Sequence, residues 1–174
     1  MALLCLLLCN IHAFTQQNMA RQGIYIEGGG SGVVFTINYD RQFGKKPGGF
    51  GFRAGIGSNF GDKTQSLLTS IPVGINYLLG GERHFLEMGV AGTILFAKDY
   101  HIPDSLYDRQ VRDIGLFMAD MPQGTTTFVT CVSLGYRYQA LIKGLSARIC
   151  ITEYFFKDKI GAMSDLYLSI GYRF

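Results

Sequence analysis

The stretch that decides the fold is "IPVGINYLLGGERHFLEMGVA", Ile71 to Ala91. Its opening residues alternate in kind. Ile71, Val73, Ile75, Tyr77 and Leu79 share one face, and Pro72, Gly74, Asn76 and Leu78 take the other. A "GGER" turn (Gly80–Arg83) follows. Leu86, Met88 and Val90 then alternate with Glu87, Gly89 and Ala91. A period of two sends successive side chains to opposite sides of a strand, so the segment predicts a β-hairpin.

The same pattern recurs outward in both directions. Val33, Phe35, Ile37 and Tyr39 oppose Val34, Thr36, Asn38 and Asp40. Phe52, Ala54 and Ile56 oppose Arg53, Gly55 and Gly57. Phe128, Thr130, Val132, Leu134, Tyr136 and Tyr138 oppose Val129, Cys131, Ser133, Gly135 and Arg137. Leu145, Ala147, Ile149 and Ile151 oppose Ser146, Arg148, Cys150 and Thr152. Leu166, Leu168, Ile170, Tyr172 and Phe174 oppose Tyr167, Ser169, Gly171 and Arg173.

The two faces differ chemically. The first is aliphatic or aromatic and carries no charge. The second is mostly small or polar, with isolated Arg and carboxylates. A soluble sandwich would turn long charged side chains outward. Small residues suit a crowded interior instead, where isolated charges can pair. The sheet therefore reads as inside-out, apolar toward lipid and polar toward a lumen. Composition agrees: 23 Gly, 13 Phe and 10 Tyr, no Trp, and 17% charged residues, against roughly 25% in ordinary soluble domains. A net charge of +3, with no basic stripe, excludes a nucleic-acid partner.

Connection lengths give the topology. Gly44–Gly49, Gly80–Arg83 and Ala140–Gly144 are short turns, alternating with the longer segments Asn59–Gln65, Lys98–Thr125 and Phe156–Ser164. Seven strands result if Ile24–Phe43 is one strand with a bulge at "GGGSG" (Gly28–Gly32). Eight result if the chain reverses there. Closure by antiparallel pairing needs an even number, and apolar parity switches from Ile24 and Ile26 to Val33, Phe35 and Ile37. Both arguments favour eight. The expected fold is all-β, a transmembrane antiparallel up-and-down barrel whose narrow lumen is filled by side chains. Tyr39, Phe43, Tyr77, Tyr136, Tyr138, Tyr172 and Phe174 fall near strand ends, as an interfacial aromatic girdle would.

Residues 1–16 open with an apolar run, Ala2 to Leu8, of the length of a secretory signal core, although no Lys or Arg precedes it. Residues 17–174 then form the barrel domain.

"YIEGGGSGVVFTINYDRQF", "SIPVGINYLLGGERHFLEMGVAG", "LGYRYQ" and the closing "LSIGYRF" together resemble small outer-membrane β-barrel proteins of Bacteroidetes-type bacteria. The resemblance covers nearly all of residues 17–174. It implies an OmpA/OmpX-like eight-stranded barrel in the bacterial outer membrane, with lipid around it. It also implies that Tyr172 and Phe174 belong to a C-terminal signal for the barrel-assembly machinery. It implies no settled activity, because fold does not supply function.

The lumen face carries Glu27, Asp40, Arg53, Glu87, Arg137, Arg148 and Arg173. Each buried Arg needs a carboxylate, and Glu87 is the expected partner of Arg53 or Arg148. Cys131 and Cys150 flank the Ala140–Gly144 turn and are expected as near neighbours, reduced or bonded. His84 is expected at a solvated turn. His101, with Asp99, Asp104 and Ser105, is the one segment that could hold a nucleophile and base, but residues so close in sequence on a loop seldom form a preorganised site. No cysteine or histidine spacing suggests a metal, and "GGGSG" lacks the lysine of a phosphate-binding loop. No catalytic, cofactor or metal site is expected. The Lys98–Thr125 loop, with Ile114–Met118 extending the wall, is the candidate contact for a surface partner. A structural or surface-interaction role leads. A narrow channel for small or apolar solutes and an outer-leaflet lipid-modifying enzyme are the alternatives.

Overall fold

The computed structural model describes residues 19–33, 35–58, 67–98, 126–156 and 162–174. Eight strands follow one another: β1 (Gln22–Gly28), β2 (Phe35–Gln42), β3 (Gly49–Ser58), β4 (Leu67–Gly81), β5 (His84–Lys98), β6 (Thr126–Gln139), β7 (Gly144–Phe156) and β8 (Ala162–Arg173). Each pairs antiparallel with its neighbour in sequence, and β1 pairs with β8 to close the barrel. No described helix is long and apolar enough to cross a membrane.

The reversal at "GGGSG" is real. A short 3-10 turn, Gly30–Gly32, joins β1 to β2. Glycine permits it, because Gly29 and Gly30 sit at φ 82° and 66°, a region that a Cβ disfavours. Val33 closes the turn at φ 70°, which is strained for a β-branched residue. Three short reversals join β2–β3, β4–β5 and β6–β7 at the other end, where Met19 and Phe174 also lie. Pairing between β3 and β4 skips from Ala54↔Val73 to Gly57↔Ser70. Pro72 lies in that gap and has no N–H to give the ladder. The register staggers by about ten residues per circuit, which tilts the strands by roughly 35–45°.

Alternation sets what faces where. Ile26, Ile37, Ile56, Val73, Ile75, Leu134, Ile151, Leu168 and Ile170 all point outward and are more than half exposed. Tyr136 and Tyr172 are exposed near the short-turn end, while Phe35, Phe96, Phe128 and Phe155 are exposed near the opposite end. Outward residues on β5 run from Leu86 to Phe96. At ~3.3 Å per residue and that tilt, the apolar belt is about 25 Å tall. Polarity is thus inverted relative to a soluble protein: Glu27, Asp40, Glu87, Arg137 and Arg173 are each at most 2% exposed.

The lumen differs from expectation in one respect. It is not lined by small and polar residues alone. Tyr25, Tyr154, Tyr167, Phe85, Leu68, Leu78 and Leu95 are also fully enclosed. A barrel of this strand number is just wide enough for side chains to fill, and small residues would leave voids.

Candidate functional site

All eight strands contribute a polar or charged group to the lumen, and these gather in two tiers. The outer tier lies under the Gly30–Gly32 turn. Arg53 (β3) pairs with Glu27 (β1) at 3.3 Å and donates to Ser31 Oγ at 2.6 Å. The turn itself folds into the barrel rather than away from it. Ser31 is 1% exposed. Thr93 Oγ1 (β5) donates to the Ser31 carbonyl at 2.5 Å, and Tyr154 OH (β7) donates to the Gly30 carbonyl at 2.6 Å. These bonds satisfy backbone oxygens that would otherwise be buried alone.

The inner tier centres on Asp40 (β2). Its carboxylate meets Arg137 (β6), Arg148 (β7) at 3.2 Å and Arg173 (β8) at 3.4 Å. Glu87 (β5) pairs with Arg148 at 3.4 Å and Arg137 at 3.6 Å. Asn76 (β4) links the two carboxylates, its Nδ2 donating to Asp40 at 2.9 Å and to Glu87 at 3.1 Å. The Arg148 guanidinium lies 3.8 Å from the centre of the Tyr25 ring, a cation–π contact. Asp40 therefore ties β2 to three other walls. Of the two partners expected for Glu87, Arg148 is the one it meets; Arg53 is taken by Glu27.

The short-turn mouth is crossed by Met19–Arg21. Ala20 N donates to the Leu141 carbonyl at 3.0 Å, Gln42 N to the Arg21 carbonyl at 2.8 Å, and Arg173 Nη2 to the Ala20 carbonyl at 2.7 Å. A small pocket lies behind this strap, lined in part by Gln42, Lys46, Gln139 and Arg173.

The cysteines are a correction. Cys131 lies opposite Tyr154, and Cys150 opposite Gly135. Both are buried and free. Hairpin registry, not distance from the turn, decides which residues meet. His84 is exposed, as expected of a turn residue, but not simply solvated: its Nδ1 and Tyr136 OH are 2.5 Å apart, and its ring lies near Tyr138. Tyr172 and Phe174 both face outward at the short-turn end. Residues 1–16, His101 with Asp99, Asp104 and Ser105, and Ile114–Met118 lie outside the described residues. Among the described residues, no group of three or more His, Cys, Asp or Glu side chains is placed to hold a metal.

Asn76, Ser31 and the lumen tyrosines were not singled out from sequence, although parity marks several of them. Tyr25 sits between Ile24 and Ile26, and Tyr167 between Leu166 and Leu168, so each must face inward.

No family model and no curated protein sequence matches the chain. In structure it is similar to the N-terminal β-barrel domain of Pseudomonas aeruginosa OprF, with TM-score 0.57 and 11% identity, over 91% of this chain and 98% of that one. The fold is that of an OmpA-like barrel. At such low identity the likeness speaks to the fold alone. The OmpA-like wall here encloses a lumen filled with its own side chains, a buried turn at one end and a strap at the other.

Proposed function

We propose that the protein is an integral barrel of the bacterial outer membrane, with a structural or surface-interaction role and no catalysis. One observation carries this reading: the exterior is a belt of exposed Ile, Val, Leu and Phe about 25 Å tall, over an interior that holds the charges. That height matches the apolar band of outer-membrane barrels, and water is a poor solvent for such a surface. Surrounding lipid covers the belt, and the tyrosines at its short-turn rim sit at the membrane–water boundary. Tyr172 and Phe174, outward at the same rim, supply the motif on which the barrel-assembly machinery acts. The filled lumen supports a structural role over a channel, because a conducting path would have to displace Tyr25, Tyr154 and Tyr167.

The test is fractionation. The protein should remain in washed outer membranes and dissolve only with detergent. Recovery of folded, monodisperse protein in aqueous buffer without detergent would refute the reading. Steady single-channel conductance in planar bilayers would replace the structural role with transport.

A further inference from the structure

We propose that the inner lumen binds one small monovalent anion, of halide size, beside Arg173 at the short-turn mouth. The argument starts from charge. In the outer tier Glu27 and Arg53 balance. In the inner tier Asp40 and Glu87 face Arg137, Arg148 and Arg173, two carboxylates against three guanidinium groups. Arginine keeps its proton in proteins, so one positive charge is left over. Burying an unbalanced charge is costly. Among the described residues no further carboxylate side chain is buried at this end: Glu82, in the β4–β5 turn, is exposed, and the main-chain oxygen of Phe174 is engaged by Gln22 N at 3.3 Å.

The surplus falls on Arg173. Asp40 is shared among three arginines and lies farther from Arg173, at 3.4 Å, than from Arg148, at 3.2 Å, while Glu87 pairs with Arg137 and Arg148. Its remaining bond goes to the neutral Ala20 carbonyl. Arg173 is 1% exposed, yet its Nε–H has no hydrogen-bond partner. That side chain lines the pocket behind the Met19–Arg21 strap. Gln42 and Gln139 line the same pocket, each with a buried amide oxygen that lacks a donor. Gln42 is held by its Nε2–H bond to Asn76 Oδ1 at 3.3 Å, but the Gln139 amide can turn over, exchanging acceptor for donor, and present N–H groups to a guest. Lys46 and Arg21 stand at the lip and attract anions. The pocket has room for about one water-sized guest, the size class of a halide. Bound there, the anion takes the Arg173 Nε–H and completes the charge balance.

The test uses the folded protein in a zwitterionic detergent. Chloride replaces gluconate at constant ionic strength, and thermal unfolding is followed by gel mobility. The midpoint should rise and saturate with chloride, with bromide acting alike. Chloride-35 line broadening should report binding directly. Arg173→Gln should weaken the apparent chloride affinity at least tenfold by both measurements. Lys46→Ser, at the lip, should weaken it less and leave folding intact. Absence of broadening with the wild-type protein would overturn the proposal, whether or not Arg173→Gln folds. So would a linear, unsaturated response, or equal saturation in Arg173→Gln. A tyrosinate absorbance at neutral pH, abolished by Tyr25→Phe, would also overturn it, because the chain would then supply the missing negative charge itself.

Discussion

Asp40→Asn is the most informative substitution in the barrel wall. Asparagine keeps the shape of the side chain and removes its charge. The carboxylate meets three guanidinium groups, with Arg148 at 3.2 Å and Arg173 at 3.4 Å, and it accepts from Asn76 at 2.9 Å. Without it, only Glu87 remains to face all three arginines. Removing one partner of a buried pair typically costs about 3–5 kcal/mol. The three pairs share one carboxylate, so their costs do not add, and that range is the expectation for the whole change. For a chain of this length it corresponds to a midpoint lowered by roughly 6–20 °C. Glu87→Gln removes longer contacts, 3.4 and 3.6 Å, and should cost less, about 1–3 kcal/mol. Heat-modifiable gel mobility and urea titration in lipid vesicles would measure both. The ion-pair reasoning fails if Asp40→Asn lies within about 1 kcal/mol of wild type, or if Glu87→Gln proves the more damaging change.

Other positions test other parts of the structure. Val73 is 55% exposed within the apolar belt, so Val73→Arg should destabilise the protein in lipid vesicles by about 2–4 kcal/mol; an unchanged urea midpoint would count against burial in lipid. A Cβ at Gly30, already at φ 66°, would meet Glu27 Oε1 at 2.7 Å and Tyr167 Cγ at 2.8 Å. Gly30→Ala should therefore cost about 1–3 kcal/mol, whereas Val33→Gly, which relieves a strained φ, should be neutral or stabilising by up to ~1 kcal/mol. The reverse order in a denaturant titration would show that the turn is built otherwise. Maleimide should label Cys131 and Cys150 in the denatured protein and neither in the folded one. Rapid labelling without denaturant would contradict their burial.

How much of this was legible beforehand depends on the length scale of the signal. Strand direction and facing are local, so the alternation around Ile75, Glu87 and Ile170 revealed them directly. The β1–β2 reversal was legible because the parity of Ile24 and Ile26 conflicts with that of Phe35 and Ile37. Which lumen charges meet was only partly legible. Sequence places Asp40 and Arg173 on the same side of the wall, but they flank Gly23 on one rung only because the barrel closes through β1, which depends on the β1–β2 and β1–β8 registers. The cysteines show the same limit. Near-equal distance from a turn suggested proximity, whereas the β6–β7 register sets Cys150 opposite Gly135. The inward fold of Gly30–Gly32 left no mark beyond its glycines, because the groups that receive it, Thr93 and Tyr154, are distant in sequence.

That inward fold has a consequence for anything approaching the barrel from outside. The β1–β2 connection lies at the end opposite Phe174 and is enclosed, with Ser31 only 1% exposed. The first hairpin offers such a visitor no handle; it lays a floor of glycine and serine across the barrel.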